Sequence, residues 1–143
     1  STPAATPWLE ALRRAPFAGR ARYLGYVQDA QRRSLYEGAA VLVVPSFEEG
    51  FGLPVLEAMT VGVPVVASNR GSLPEVLGDA GILIEPDDAE AVADAIWNVI
   101  VEPELAMRRI ARGIERAKTY TWARTARAAL DAYEAAIAHR SRQ

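Results

Sequence analysis

A chain of 143 residues, 50% hydrophobic and 24% charged, has the size and composition of one soluble globular domain. Its formal net charge of -2 argues against a generic nucleic-acid binder, which needs a basic surface. The absence of cysteine, with His139 as the only histidine, excludes a disulfide scaffold, a thiolate metal site and a cysteine nucleophile, and argues against a zinc site or a Ser-His-Asp triad. No apolar run reaches the roughly 18 residues of a membrane span. The first residues lack the basic start and apolar stretch of a signal peptide, so the expected location is the cytoplasm.

Along the chain, residues 1–6 are small, polar and proline-containing and read as a disordered tip. Thr6-Pro7 reads as a helix start, with Trp8, Leu9 and Leu12 on one face and an end near Pro16. Tyr23 and Leu24, stopped by Gly25, suggest a short strand over 22–25. Asp29 can open a helix whose Leu35, Tyr36 and Ala39 turn inward. Val41-Leu42-Val43-Val44 and Val63-Pro64-Val65-Val66-Ala67 are continuous apolar runs. Continuous rather than alternating apolar character means burial on both faces, as in a parallel sheet covered by helices.

Between these runs a helix begins at Pro54 and stops at Gly62. Ser72-Leu73-Pro74-Glu75 has the spacing of a capping box, Ile82-Leu83-Ile84 reads as a further strand, and Asp87 with Glu90 as a second capping box. The remainder is helical. Val92, Ile96, Val99 and Ile100 recur at helical spacing, Pro103 starts a helix with Leu105, Ile110 and Ile114 inside, and Thr121 caps a last one. The stripe Trp122, Ala126, Leu130, Tyr133 and Ile137 reads as packing, and the arginines at 108, 109, 112, 116, 124 and 127 as a solvated face. The fold class expected is α/β: a Rossmann-like parallel sheet with flanking helices and a helical last third.

The chemistry lies in the stretch Pro45 to Met59. A buried strand ends, a loop with Gly50 and Gly52 follows, and a helix begins. The carboxyl ends of parallel strands are where open α/β sheets bind ligands. A helix N-terminus suits phosphate, and glycines let the backbone approach a bulky anion. Glu49 on the loop and Glu57 in the expected first turn would repel phosphate but can accept hydrogen bonds from sugar hydroxyls, two at once for a ribose. The pattern suits a ligand with both phosphate and sugar hydroxyls. On the residues alone, a tight turn and a charge favourable to the helix dipole account for the same positions.

The run Tyr23-Leu24-Gly25-Tyr26-Val27, Leu35-Tyr36, Pro45-Ser46, Glu49 through Met59 and Gly62 through Ser68 closely resembles retaining glycosyltransferases of the GT-B fold, the group 1 or family 4 enzymes. Glu49 and Glu57 match their Glu-x7-Glu motif, Gly71-Ser72-Leu73-Pro74-Glu75-Val76 their Gly-x-x-Pro-Glu loop, and Gly81 to Asp87 the Gly-aliphatic-Pro-Asp stretch. The resemblance implies that Glu49 lies at the transferred sugar as the catalytic-site carboxylate and that Glu57 binds the donor ribose. It implies that the backbone of Gly50, Phe51, Gly52 and Leu53 lies by the sugar and pyrophosphate, and Tyr26 and Val27 by the base. The donor would be a nucleoside diphosphate sugar, transfer would retain the anomeric configuration, and neither metal nor cofactor would be needed.

The resemblance covers only the later part of the second of two GT-B domains, so residues 1–143 are expected as one partial, nucleotide-sugar-binding domain. The acceptor domain, two strands and the Arg/Lys pair that grips the donor phosphates have no counterpart. Those strands would lie between the strand at Tyr23 and the one at Val41, leaving open edges. The expected partners are therefore the nucleotide sugar, the N-terminal part of the enzyme or a second chain pairing with the edges, no nucleic acid, and a membrane surface touched through the absent domain. Alone, the chain would be inactive. The alternative is a non-catalytic nucleotide-sugar-binding or interaction module of the same fold.

Overall fold

The structure, a computed structural model, describes residues 6–140; the expected tip falls almost wholly outside them. The chain divides into two units, Ser1–Arg32 and Arg33–Gln143. In the first, helix α1 spans Thr6–Leu12 and so ends before Pro16. The rings of Trp8 and Tyr23 meet edge to face, 5.2 Å between centroids. The strand expected over 22–25 does not form. A strand needs a neighbour to take its N–H and C=O groups, and the strands that the resemblance would set beside it are absent from this sequence. Helix α2, Asp29–Glu37, carries the chain from the first unit into the second. It has no buried residue, and Leu35, expected inside, is exposed.

The second unit is built on a three-stranded parallel sheet of β1 (Leu42–Val44), β2 (Val65–Ser68) and β3 (Ile82–Ile84), in that order. Leu42 pairs with Val65 and Val66 with Ile82, so the strands run level and their carboxyl ends share one edge. Every residue of β2 is buried. Alternate residues of a strand face opposite sides: Val65 and Ala67 join one core, with Val55, Ala58, Met59, Leu73 and Leu77, and Val66 joins the other, with Ile84, Ala95 and Val99. The first core is supplied by helices α3 (Leu53–Thr60) and α4 (Leu73–Leu77), the second by α5 (Ala89–Val101). β1 is only half-buried along its length, because it is paired on one side alone.

Helix α6, Pro103–Ala117, packs on α3 and α5. Gly113 is its buried residue: a Cβ there would sit 3.1 Å from Met59 Cγ, so the missing side chain sets how closely α6 approaches α3. The arginines of this helix are not merely a solvated face. Arg116 donates through Nε to the Val76 carbonyl at 2.7 Å and through Nη2 to the Glu75 carbonyl, Arg109 donates to the Gly81 carbonyl, and Arg112 pairs with Asp79 at 3.1 Å. Together they clasp the segment from α4 to β3. Burial first, then Arg112 and Arg108, push the Arg109 guanidinium below its ordinary value against the opposing pull of Asp79.

Of two further caps, one differs from the sequence expectation. Helix α5 is capped by Asp88 rather than Asp87, its carboxylate accepting from the Ala91 N–H at 2.9 Å. Thr121 caps α7 (Trp122–Arg140) as expected, accepting from the Arg124 N–H at 3.1 Å. The stripe along α7 is not core, however: Trp122 is 85% exposed and Tyr133 68%, and the helix has no buried residue. Its spacing makes an apolar face, and Trp122, Leu130, Tyr133 and Ile137 on it are exposed. Leu73 is fully buried and Leu130 half exposed. Leu73→Ala is therefore expected to cost about 2–5 kcal/mol and Leu130→Ala to stay within about 0.5 kcal/mol of wild type. Urea unfolding of the two variants checks this, and equal losses would mean that α7 is packed.

Candidate functional site

The site begins where β1 ends. Residues 45–52 leave the carboxyl edge of the sheet and turn into α3, and the turn is made by Gly52, the N-cap, in the left-handed region at φ 89°. The positive φ favours glycine there, and a Cβ at Gly52, 2.9 Å from Leu73 Cδ2, would also make the Leu73 side chain shift. Gly50 has neither constraint, with nothing within 4 Å of a built Cβ. Pro54 stands in the first turn of α3, where its missing N–H is no loss. Glu57 is the fifth residue of the helix and stands in its second turn, not its first, since the helix begins at Leu53.

Glu49 is half-buried, and its main chain is gripped by the loop that follows β2. Its carbonyl accepts from the Ser72 N–H at 3.4 Å and from Ser72 Oγ at 3.1 Å. Gly71, at φ 56°, lies flat against it: a Cβ there would fall 2.8 Å from the Glu49 carbonyl oxygen. Upstream, the fully buried Ser68 donates through Oγ to the Ser46 carbonyl at 2.5 Å. Among the described residues the Glu49 carboxylate forms no hydrogen bond or ion pair with the protein. Glu57 is held differently, by its side chain, which accepts from the Tyr36 hydroxyl of α2 at 3.0 Å. Beside them, Asn69 and Arg70, just after β2, both donate to Glu85, just after β3, Arg70 at 2.6 Å.

Thus Glu49, Gly50, Gly52 and Glu57 occupy one loop–helix unit at the carboxyl edge of the sheet. Phe51 and Leu53 are half exposed. Their side chains line a pocket of about 470 Å³ with Leu56, Tyr120, Trp122 and Arg124, and the Phe51 ring meets Tyr120 edge to face at 6.1 Å. Tyr26, 89% exposed, and Val27 lie in the first unit. Among the described residues no group of three His, Asp or Glu side chains could hold a metal ion, and no helix is long and apolar enough to cross a membrane.

Sequence reasoning missed Tyr36 as the partner of Glu57, and missed that Ser72 serves Glu49 rather than α4. The second has no local signal: Ser72 and Glu75 keep capping-box spacing, but the Ser72 backbone is helical, at φ -82° and ψ -11°, where a capping residue is extended.

A parallel α/β sheet whose carboxyl edge carries a glycine turn, a helix start and two carboxylates has the layout of the open α/β class, in which ligands are taken at that edge. Comparison with known proteins makes the class specific. The profile of "Glycosyl transferases group 1" matches residues 2–102. The O-antigen chain mannosyltransferase B of Escherichia coli is 46% identical over 116 residues, which is 81% of this chain and 30% of that protein. The sucrose-phosphate synthase of Thermosynechococcus elongatus superposes with a TM-score of 0.80 at 30% identity, over 92% of this chain and 34% of that one. The C-terminal domain of a glycosyl transferase group 1 family protein from Francisella tularensis superposes at 0.70 with 28% identity, over 82% of this chain and 64% of that one.

The chain belongs to the group 1 glycosyltransferases and has the fold of part of their GT-B C-terminal domain. It spans 30% of the length of its E. coli relative. From the geometry of the turn, Gly52→Ala is expected to cost at least the roughly 1–2 kcal/mol of a left-handed non-glycine residue, while Gly50→Ala leaves stability unchanged. Thermal unfolding of both variants is the check.

Proposed function

We infer that this chain is the donor side of a retaining glycosyltransferase that moves a sugar from a nucleoside diphosphate sugar to an acceptor held by another part of the complete enzyme. Family membership supports transfer. The observation that carries the assignment of parts is the contrast between the two glutamates. Glu57 is fixed through its carboxylate, by Tyr36, whereas Glu49 is fixed through its main chain and its carboxylate has no protein partner among the described residues.

A carboxylate whose backbone is immobilised and whose head is uncommitted suits a group that meets a reacting ligand, because orientation is set before the ligand arrives. Glu49 accordingly faces the transferred sugar, where its negative charge offsets positive charge developing at the anomeric carbon. Glu57, oriented by the Tyr36 hydroxyl, accepts from the ribose hydroxyls with its remaining lone pairs. The main chain of Gly50, Phe51, Gly52 and Leu53 lies along the sugar and pyrophosphate, at the positive end of α3. The chemistry needs neither metal nor cofactor, since the diphosphate of the leaving nucleoside diphosphate is met by main-chain dipoles and by cationic groups from the rest of the enzyme. A purely binding module would have no use for the uncommitted head of Glu49.

The chain alone carries one wall of the cleft and is expected to transfer no sugar, since differential binding of the transition state needs both walls. In the complete enzyme, Glu57→Ala is expected to weaken nucleoside diphosphate binding by about 1.5–3 kcal/mol, the worth of a charged hydrogen bond. Glu49→Ala should lower kcat and leave that affinity nearly unchanged. Calorimetric titration and steady-state kinetics separate the two. Unchanged nucleotide affinity in Glu57→Ala would reduce Glu57 to a partner of Tyr36, and a wild-type enzyme that binds no nucleotide sugar would overturn the reading as a whole.

A further inference from the structure

Two stretches run side by side at the carboxyl edge of the sheet, 46–49 and 68–72, and two hydroxyls join them. Ser68 Oγ donates to the carbonyl of Ser46 at 2.5 Å, and Ser72 Oγ to the carbonyl of Glu49 at 3.1 Å. Serines four apart on one stretch thus grip carbonyls three apart on the other. Between them Gly71, at φ 56°, brings its Cα flat onto Glu49, where a Cβ would stand 2.8 Å from the carbonyl oxygen and 3.1 Å from the nitrogen. The stretch 68–72 is itself anchored. Ser68 is fully buried, the Asn69 N–H donates to the Ile84 carbonyl at 2.9 Å, and Leu73 is fully buried. Glu49 is therefore referred to the middle of the sheet rather than left on a free loop.

Ser72 could have served α4 instead. It stands at the N-cap with Glu75 three residues on, yet makes no side-chain cap. Its backbone is helical, at φ -82° and ψ -11°, whereas a capping residue is extended. The hydroxyl is thereby released to Glu49.

We propose that Ser72, with Gly71 beneath it and Ser68 anchoring the other end, is a positioning residue of the transfer reaction, holding the main chain of Glu49 so that its carboxylate meets the transferred sugar in one orientation. The proposal rests on the reading of Glu49 given above, and its test has one arm that does not. In the 143-residue chain, Ser72→Ala is expected to lower the backbone amide order parameters of Glu48 to Phe51 by nitrogen-15 relaxation, and to leave hydrogen exchange of the Glu75 to Leu77 amides at the wild-type rate. Faster exchange in α4 with an unchanged loop would return Ser72 to a capping role and overturn the proposal.

In the complete enzyme, Ser72→Ala is expected to lower kcat about ten- to a hundredfold, the scale of a small misplacement of a reacting group. The donor KM should stay within about twofold, since the interaction lost would act in the transition state rather than in donor binding. Ser72→Thr, which keeps the hydroxyl, should restore both loop order and kcat. Unchanged kcat in Ser72→Ala, a threonine variant as slow as the alanine one, or kcat lost only in step with thermal stability would each overturn the positioning role. A wild-type enzyme without transfer would overturn the functional reading instead, and the relaxation arm would still decide whether Ser72 holds the loop.

Discussion

Everything in the larger unit answers to one constraint: the central strand Val65–Ser68 is buried at each of its four residues. A strand buried on both faces must be covered on both, and a parallel neighbour can be reached only by a crossover. The crossover from β1 to β2 is α3, which supplies Val55, Ala58 and Met59 to one face, and the opposite face is closed by Ala95 and Val99 of α5. Because the strands are level, the loops that leave their carboxyl ends gather at one edge. The site lies at that edge because the same burial that stabilises the sheet fixes where its loops emerge.

That edge is held from two directions. From the sheet, Ser68, Gly71 and Ser72 fasten the loop that carries Glu49. From behind, Arg116 and Arg109 of α6 take the carbonyls of Glu75, Val76 and Gly81, tying down the segment from which the loop's neighbour α4 is made. Main-chain carbonyls at the turns around a short helix are the groups left without regular partners. Here they are satisfied by guanidinium groups, which supply several donors in a rigid plane. The polar work at the site is thus mostly side chain to main chain, and among the described residues the Glu49 carboxylate is left uncommitted.

The fold and the location of the site were legible to different degrees, for physical reasons. Val41–Val44 and Val63–Ala67 announce double-sided burial by composition alone, and Glu49, Gly52 and Glu57 stand out because a helix start and glycine pattern surrounds them. Tyr23 and Leu24 have strand character, but pairing is a property of neighbours, and none is bonded to them here. Trp122, Leu130, Tyr133 and Ile137 have the spacing of a core stripe. Spacing defines an apolar face without saying what covers it, and these four side chains are exposed. The six arginines read as solvated by count, whereas Arg109 and Arg116 reach carbonyls 28 and 40 residues away in sequence, a relation that no local pattern encodes. Ser72 was misread because capping-box spacing does not specify the backbone of its first residue, which is helical here rather than extended.

Gly113 gives the arrangement its narrowest tolerance. It lies on the face of α6 that packs on α3, and a Cβ there would stand 3.1 Å from Met59 Cγ. One added methyl group would press the helix outward, and the arginines three residues to one side and four to the other would move with it. In a population of sequences, position 113 would then vary together with 59, a smaller neighbour compensating a larger one. The stringency there would have the look of a functional requirement, though its origin is the diameter of a helix.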